Sequence, residues 1–149
     1  MLNAQQILDE GLLKLEHTHG KSAQVGYDIT LKAVQKIGNK IGPGAYVDGK
    51  IGKVLKDKTQ LTTYTPYDKI SLEGAKGWLL YEGVYDITFN EGCKLPANRV
   101  AFIKQRSSLY RNGTIINSPV FDPGFETEFM GTLMYVHETI FIEENARVA

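Results

Sequence analysis

A single, mostly β domain of sandwich or barrel type is the fold class this sequence predicts, and three observations predict it. From Leu61 onward, β-branched and aromatic residues come in short runs: Thr62 to Thr65, Trp78 to Tyr81, Val84 to Phe89, Val100 to Ile103, Phe129 to Val136 and Thr139 to Ile142. Turn formers such as Glu82-Gly83, Glu91-Gly92, Pro96-Ala97-Asn98 and Asn112-Gly113 separate these runs at close spacing. No linker-like change of composition divides the 149 residues, of which 42% are hydrophobic, enough for one core. Many short strands of this kind pack as a sandwich or a barrel.

The first element is the exception. Ala4, Ile7, Leu8, Leu12 and Leu15 recur at helical spacing, with Asn3 placed as N-cap and Gln6 in capping-box position, so a short amphipathic helix opens the chain. Gly11 costs such a helix roughly 1 kcal/mol relative to alanine and is where it is expected to break. After Gly20 the period becomes two: Val25, Tyr27, Ile29 and Leu31 alternate with Gly26, Asp28, Thr30 and Lys32, which predicts a strand with one polar face. Gln35 to Lys58, rich in glycine and lysine and containing Gly42-Pro43-Gly44, reads as loops and hairpin ends. The echo of Lys36-Ile37-Gly38 in Lys50-Ile51-Gly52 is too short for a structural repeat.

Charge and cysteine usage narrow the function classes. Lys and Arg number 17, as do Asp and Glu, so no global field draws in nucleic acid or an anionic membrane, and an anionic ligand needs a local site. Cys93 is the one cysteine and has no disulfide partner within the chain, which fits a reducing compartment. The N-terminal segment mixes Asp9, Glu10 and Glu16 with its leucines, and no stretch approaches the length of a membrane span. The expected setting is cytoplasmic and soluble.

Three polar clusters interrupt the strand pattern: Gly26-Tyr27-Asp28, Arg106-Ser107-Ser108 and Asp122-Pro123-Gly124-Phe125. Their residue types suit phosphate and metal chemistry, since a guanidinium grips phosphate oxygens, serines add donors and aspartates hold Mg²⁺ or orient water. Taken singly, ordinary turn chemistry explains each equally well.

Their order and context do more. Val25-Gly26-Tyr27-Asp28-Ile29, then Arg106-Ser107-Ser108-Leu109-Tyr110-Arg111-Asn112-Gly113, then Val120-Phe121-Asp122-Pro123-Gly124-Phe125 resemble, in sequence, the first three motifs of the dUTPase and dCTP deaminase superfamily. The second has the form shared by dCTP deaminases and archaeal-type dUTPases. The run Gly83-Val84-Tyr85, Phe89-Asn90-Glu91 and Leu95-Pro96 resembles the strands that lead into that motif, and Met1-Leu2 the deaminase opening. The resemblance spans nearly the whole chain and is weakest from Gln35 to Gly77.

The resemblance implies one dUTPase-like domain over residues 1–149, an all-β distorted barrel or jelly roll, assembled as a homotrimer with sites between subunits. It implies Mg-dependent hydrolysis of dUTP to dUMP and pyrophosphate. By similarity Asp28 helps hold Mg²⁺ through its waters, Arg106 and Ser107 contact or organise the phosphates, and Ser108 and Arg111 of the same motif also bind substrate. Asp122 orients and deprotonates the attacking water, and Phe125, where the family commonly has tyrosine, packs under the deoxyribose. The segment Gly113 to Val120, which contains Asn117, forms the hairpin that reads the pyrimidine edge. Partners are then deoxyuridine triphosphate and further copies of the chain, with no nucleic acid and no membrane.

Deamination in this superfamily depends on a glutamate on the strand after the third motif, about ten residues beyond the aspartate. That position holds Thr132, and an insertion shifts it to Met134 or Tyr135; Glu126 and Glu128 come early and Glu138 late. Hydrolysis is therefore expected ahead of dCTP deamination. Glu144 to Ala149 resembles the start of a fourth motif, which in the family continues with a glutamine, another strand and often a glycine-rich arm. A chain without that arm is expected to lose several kcal/mol of transition-state stabilisation. The rival reading is thus a catalytically weakened trimeric module with a structural or binding role, against which Asp122, Ser107 and Arg106 are all intact. His17 and His19, expected on different faces of a helix, and Cys93, expected in a turn, are assigned no chemistry.

Overall fold

A computed structural model describes residues 1–39 and 62–149. Helix α1 (Ala4–Asp9) is capped as its sequence dictates: the Asn3 side chain accepts from Gln6 N, and the Gln6 side chain accepts from Asn3 N, both at 2.9 Å. It ends at the break expected at Gly11, short of the apolar spacing that runs on to Leu15. Glu10 is the C-cap and Gly11 takes φ +63°, so Leu12 and Leu15 lie beyond the helix, with Leu12 buried.

The strands follow in chain order: β1 (Leu13–Lys14), β2 (Lys21–Ser22), β3 (Tyr27–Asp28), β4 (Leu31–Asn39), β5 (Thr62–Pro66), β6 (Ile70–Leu72), β7 (Ala75–Leu80), β8 (Gly83–Phe89) and β9 (Gly92–Lys94). Helix α2 (Ser107–Arg111) then precedes β10 (Thr114–Asn117), β11 (Glu126–Thr127), β12 (Gly131–Val136) and β13 (Ile140–Glu143). The mostly β expectation holds. Every pairing between these strands is antiparallel, in sheets ordered β10-β12-β8-β4-β5, β1-β9-β11, β13-β7-β6 and β2-β3.

Period-two patterning builds the largest sheet. In β8 the side chains of Tyr85, Ile87 and Phe89 are fully buried while Val84, Asp86 and Thr88 turn outward; in β12 Thr132, Met134 and Val136 are buried and Leu133 and Tyr135 exposed. The register Met134↔Tyr85 and Thr132↔Ile87 stacks the inward residues of the two strands on one another. They join Leu31, Val34, Trp78, Leu80 and Phe121 in one core.

Several expectations need correction. Gln35 to Asn39, read as loop, belongs to β4 and pairs with Thr62 to Pro66; the rest of the stretch to Lys58 lies outside the described residues. Val25 is not a strand residue: it sits exposed in the turn between β2 and β3, where Gly26 takes φ +83°. Val100 to Ile103 forms only the isolated bridge Ala101↔Phe121. The face carrying Thr30 is not a solvated one, because Thr30 is fully buried.

Thr30 is buried with a partner. The carboxylate of Glu91, also fully buried, accepts from Thr30 N at 2.8 Å, Thr30 Oγ1 at 2.9 Å and Thr18 Oγ1 at 2.5 Å. Asn90 Nδ2 donates to Thr30 Oγ1 at 3.0 Å and Asn145 Oδ1 at 2.9 Å. Four distant stretches of chain thus meet at one polar cluster, each group paired as burial requires. No helix among the described residues is long and apolar enough to cross a membrane.

Candidate active site

The first cluster stands on the β2–β3 hairpin. Ala23 N donates to Gly26 O at 3.2 Å to close its turn, and Gly20 lets the strands approach, since a Cβ there would lie 2.0 Å from Asp28 O. Asp28 Oδ2 then accepts from Arg106 Nη1 at 2.9 Å and from Arg147 Nη1 at 3.3 Å. Two guanidiniums on one carboxylate leave the cluster net positive, as an anion site requires. The sequence reading singled out Asp28 and Arg106 but gave no role to Arg147, although it lies in the run read as a fourth motif.

The C-terminal segment is what brings the two motifs together. Val148 N donates to Ile29 O at 3.1 Å, Ile29 N to Ala149 O at 2.7 Å, and Leu31 N to Ala146 O at 3.0 Å, so the segment runs alongside the Asp28 strand. Arg106 N donates to Val148 O at 2.9 Å, so the same segment also holds the backbone of the second motif.

Arg106 is extended, with φ −70° and ψ 149°, and α2 begins at the next residue, a helix for which the sequence reading made no prediction. Asn112 Nδ2 caps Ser108 O at 2.8 Å and Gly113, at φ +70°, turns the chain into β10. Ser107, Ser108 and Arg111 are exposed on α2, and Asn117 is exposed at the end of β10. The hairpin expected from Gly113 to Val120 does not form within that segment: β10 pairs with β12, and residues 118–120 run as irregular chain to Phe121, which bridges to Ala101.

The third cluster is a tight turn, with Phe125 N donating to Asp122 O at 3.0 Å and Gly124 at φ +80°. Leu95 N donates to Phe125 O at 2.9 Å and Gly124 N to Pro96 O at 3.3 Å, which fixes the turn against the segment after β9. Phe125 rests on the buried Phe121, centroids 5.4 Å apart, and is itself exposed, as is Asp122.

The fold thus joins Asp28 to Arg106 directly. Among the described residues no hydrogen bond or ion pair links that pair to Asp122, Asn117, Ser107, Ser108 or Arg111. Two clefts, of about 600 and 500 Å³, are lined by Glu16, His17, His19, Lys32, Glu144 and Asn145 and by Lys36, Thr65 and Tyr67; neither contains a residue of the first three motifs, and the first includes the start of the run read as a fourth. His17 and His19 therefore share one cleft rather than opposite helix faces. Cys93 lies in β9, not in a turn, and burial pushes its thiol up.

Three carboxylates around the third motif are accounted for. Lys14 holds Glu126 at 2.8 Å and Glu128 at 3.5 Å, and its hydrogen bond draws the Glu126 carboxyl below its ordinary range. Glu138 is exposed in the turn after β12. Thr132 and Met134 point into the core and Tyr135 outward, so none of these positions offers a carboxylate. The described residues contain no group of three or more His, Cys, Asp or Glu that could hold a metal. With Asp28 Oδ2 occupied by two arginines and Asp122 solvated, the donor set fits an Mg²⁺ that arrives on a polyphosphate, not one caged by protein.

Known proteins share much of this sequence and its fold. A "probable deoxyuridine 5'-triphosphate nucleotidohydrolase" of Halobacterium salinarum is 32% identical over 124 residues, 83% of this chain and 69% of that protein. The deoxyuridine 5'-triphosphate nucleotidohydrolase of Methanocaldococcus jannaschii is 40% identical over 72 residues, 47% of this chain and 44% of that protein. The crystal structure of 2'-deoxycytidine 5'-triphosphate deaminase from Agrobacterium tumefaciens superposes with TM-score 0.63 at 15% identity, covering 99% of this chain and 46% of that one, which supports the fold. The chain therefore spans about two thirds of the length of the Halobacterium protein and less than half of the deaminase chain. A family model described as dCTP deaminase-like matches residues 2–149, and with the three motifs in order on the matching fold, the chain belongs to the dCTP deaminase-like family.

Proposed function

We propose that this chain hydrolyses dUTP to dUMP and pyrophosphate. The observation that carries hydrolysis over deamination is on β12, where positions 132, 134 and 135 hold Thr, Met and Tyr and leave no carboxylate to move protons at a cytosine ring. The names of the archaeal relatives support the same choice.

In this reading the Arg106–Asp28–Arg147 cluster receives the polyphosphate, and the exposed hydroxyls of Ser107 and Ser108 add donors, with Arg111 at the far end of α2. Asp122 orients a water and takes its proton as the water oxygen bonds to the α-phosphorus. The bridging bond to the β-phosphate breaks, and pyrophosphate leaves with the electron pair. Mg²⁺ supplies charge neutralisation of the phosphates. Asp28, whose Oδ2 already serves two guanidiniums, would help hold that ion through its waters. Phe125 packs under the deoxyribose, where a 2'-hydroxyl would be crowded, and the strand ending at Asn117 reads the base. Because these groups do not close around one another within one chain, the sites are proposed to lie between subunits of a homotrimer.

Incubation of the chain with Mg²⁺ and dUTP, dCTP, dTTP or UTP, with chromatography of products, is the test. The expected result is dUMP and pyrophosphate from dUTP, and uridine products from dCTP would instead make it a deaminase. Asp122→Asn should keep the fold and the sedimentation behaviour and lower kcat by about 10²–10⁴-fold. Full activity in that variant removes Asp122 from the mechanism.

A further inference from the structure

β10 ends the five-stranded sheet, with β12 on one side. His137 N donates to Gly113 O at 3.2 Å, and the antiparallel alternation from that point turns the N–H and C=O groups of Thr114 and Ile116 away from β12. On this open edge stands the side chain of Gln105, part-buried. Its Nε2 donates to Thr114 O at 2.8 Å and its Oε1 accepts from Ile116 N at 2.7 Å. One carboxamide does here what a neighbouring strand would do, and the fixed character of both backbone partners sets which amide atom faces which. A second stitch lies further along, where Ile103 N donates to Ser118 Oγ at 2.9 Å. The Thr114 hydroxyl is buried and makes no hydrogen bond, so it gives this end of β10 no other polar anchor.

Gln105 is followed directly by Arg106, whose guanidinium lies on Asp28. Successive side chains thus hold two different parts of the site: one the strand assigned to the base, the other the cluster assigned to the phosphates. We propose that Gln105 is a positioning residue that fixes the base-reading strand β10 relative to Arg106, and so sets affinity and selectivity for the pyrimidine without altering the phosphate grip. Backbone groups discriminate between bases only if held still, because selectivity comes from leaving a buried donor or acceptor unpaired against the wrong base. The inference rests on the proposed nucleotide hydrolysis.

Steady-state kinetics of the wild type, Gln105→Leu and Gln105→Glu test it, with dUTP, dCTP and dTTP as substrates and inorganic pyrophosphate as inhibitor. Gln105→Leu should raise KM for dUTP about tenfold, with kcat within about twofold and narrowed discrimination against dCTP and dTTP. The inhibition constant of pyrophosphate should not move. Gln105→Glu keeps the bond from Ile116 N but sets a charged oxygen against Thr114 O; its KM should also rise, and return towards the wild-type value at each pH as the medium is acidified and the carboxyl regains a proton to donate. Unchanged kinetics in both variants overturn the inference. So does a parallel weakening of dUTP and pyrophosphate, which marks general damage. If Gln105→Leu fails to fold, the pH series on Gln105→Glu decides alone. Wild type that turns over none of the nucleotides overturns the hydrolase reading itself, and is distinguished from these outcomes because it precedes any variant.

Discussion

Asp28 is the residue on which the site turns, because a single oxygen, Oδ2, serves Arg106 and Arg147 together. Their side chains are 36% and 35% exposed, so as ion pairs they add little to stability, about 0.2–1 kcal/mol each. In the proposed function their value is geometric: the shared carboxylate holds two guanidinium forks in one place for a phosphate. Arg147→Ala is accordingly expected to lower kcat/KM for dUTP about tenfold while moving the melting temperature by no more than about 3 °C. Arg147→Lys, which keeps charge but loses the planar fork, should recover part of the loss. A variant whose activity falls only in step with its stability would show Arg147 to be a structural strut. Arg147 escaped the sequence reading because nothing local marks it; it becomes legible only when the strand at Ile29 and the segment up to Ala149 are seen side by side.

Elements were legible where the pattern is local. The capping box at Asn3 and Gln6, the alternation in β8 and β12 and the turn at Asp122 to Phe125 all follow from near neighbours, and all are present. The second half of β4, Gln35 to Asn39, escapes the sequence reading since its partners, β8 and β5, lie far along the chain, and Gly38 and the lysines look like loop composition. Val100 to Ile103 has strand composition yet forms one bridge, because side chains from Gln105 and Ser118 take the backbone bonds that a ladder would have used. Glu91 shows the same limit: a Glu-Gly pair reads as a turn, whereas the carboxylate is buried and ties Thr18, Thr30 and the end of β8 together. Glu91→Gln replaces one acceptor oxygen by a donor facing other donors, and should cost about 2–4 kcal/mol in a denaturant titration. A loss below about 0.5 kcal/mol would mean that the cluster rearranges around an amide.

At the scale of the whole molecule, the five-stranded sheet has one face in the core and one facing out. The outward face carries Val84, Ile115, Leu133 and Tyr135. Asp86 sits among them, opposite Leu133 on β12 and Gln35 on β4, with the Tyr135 phenol on the same face. No ion pair with a lysine or arginine compensates it among the described residues, and burial pushes its carboxyl above the ordinary aspartate range. The sign follows from linkage. A carboxyl that binds its proton more tightly folded than unfolded favours the fold below the unfolded value, near pH 3.9, and that contribution is lost as pH rises through the raised folded value. At neutral pH the ionised group therefore opposes folding, by a small amount because it remains partly in contact with water. Asp86→Asn keeps the shape and removes the charge, so it should raise the melting temperature by about 1–3 °C at pH 7, with the gain vanishing near pH 4. Melting curves of the two proteins across that range decide it: an equal gain at both ends would locate the effect in packing or hydrogen bonding at position 86 and not in the charge.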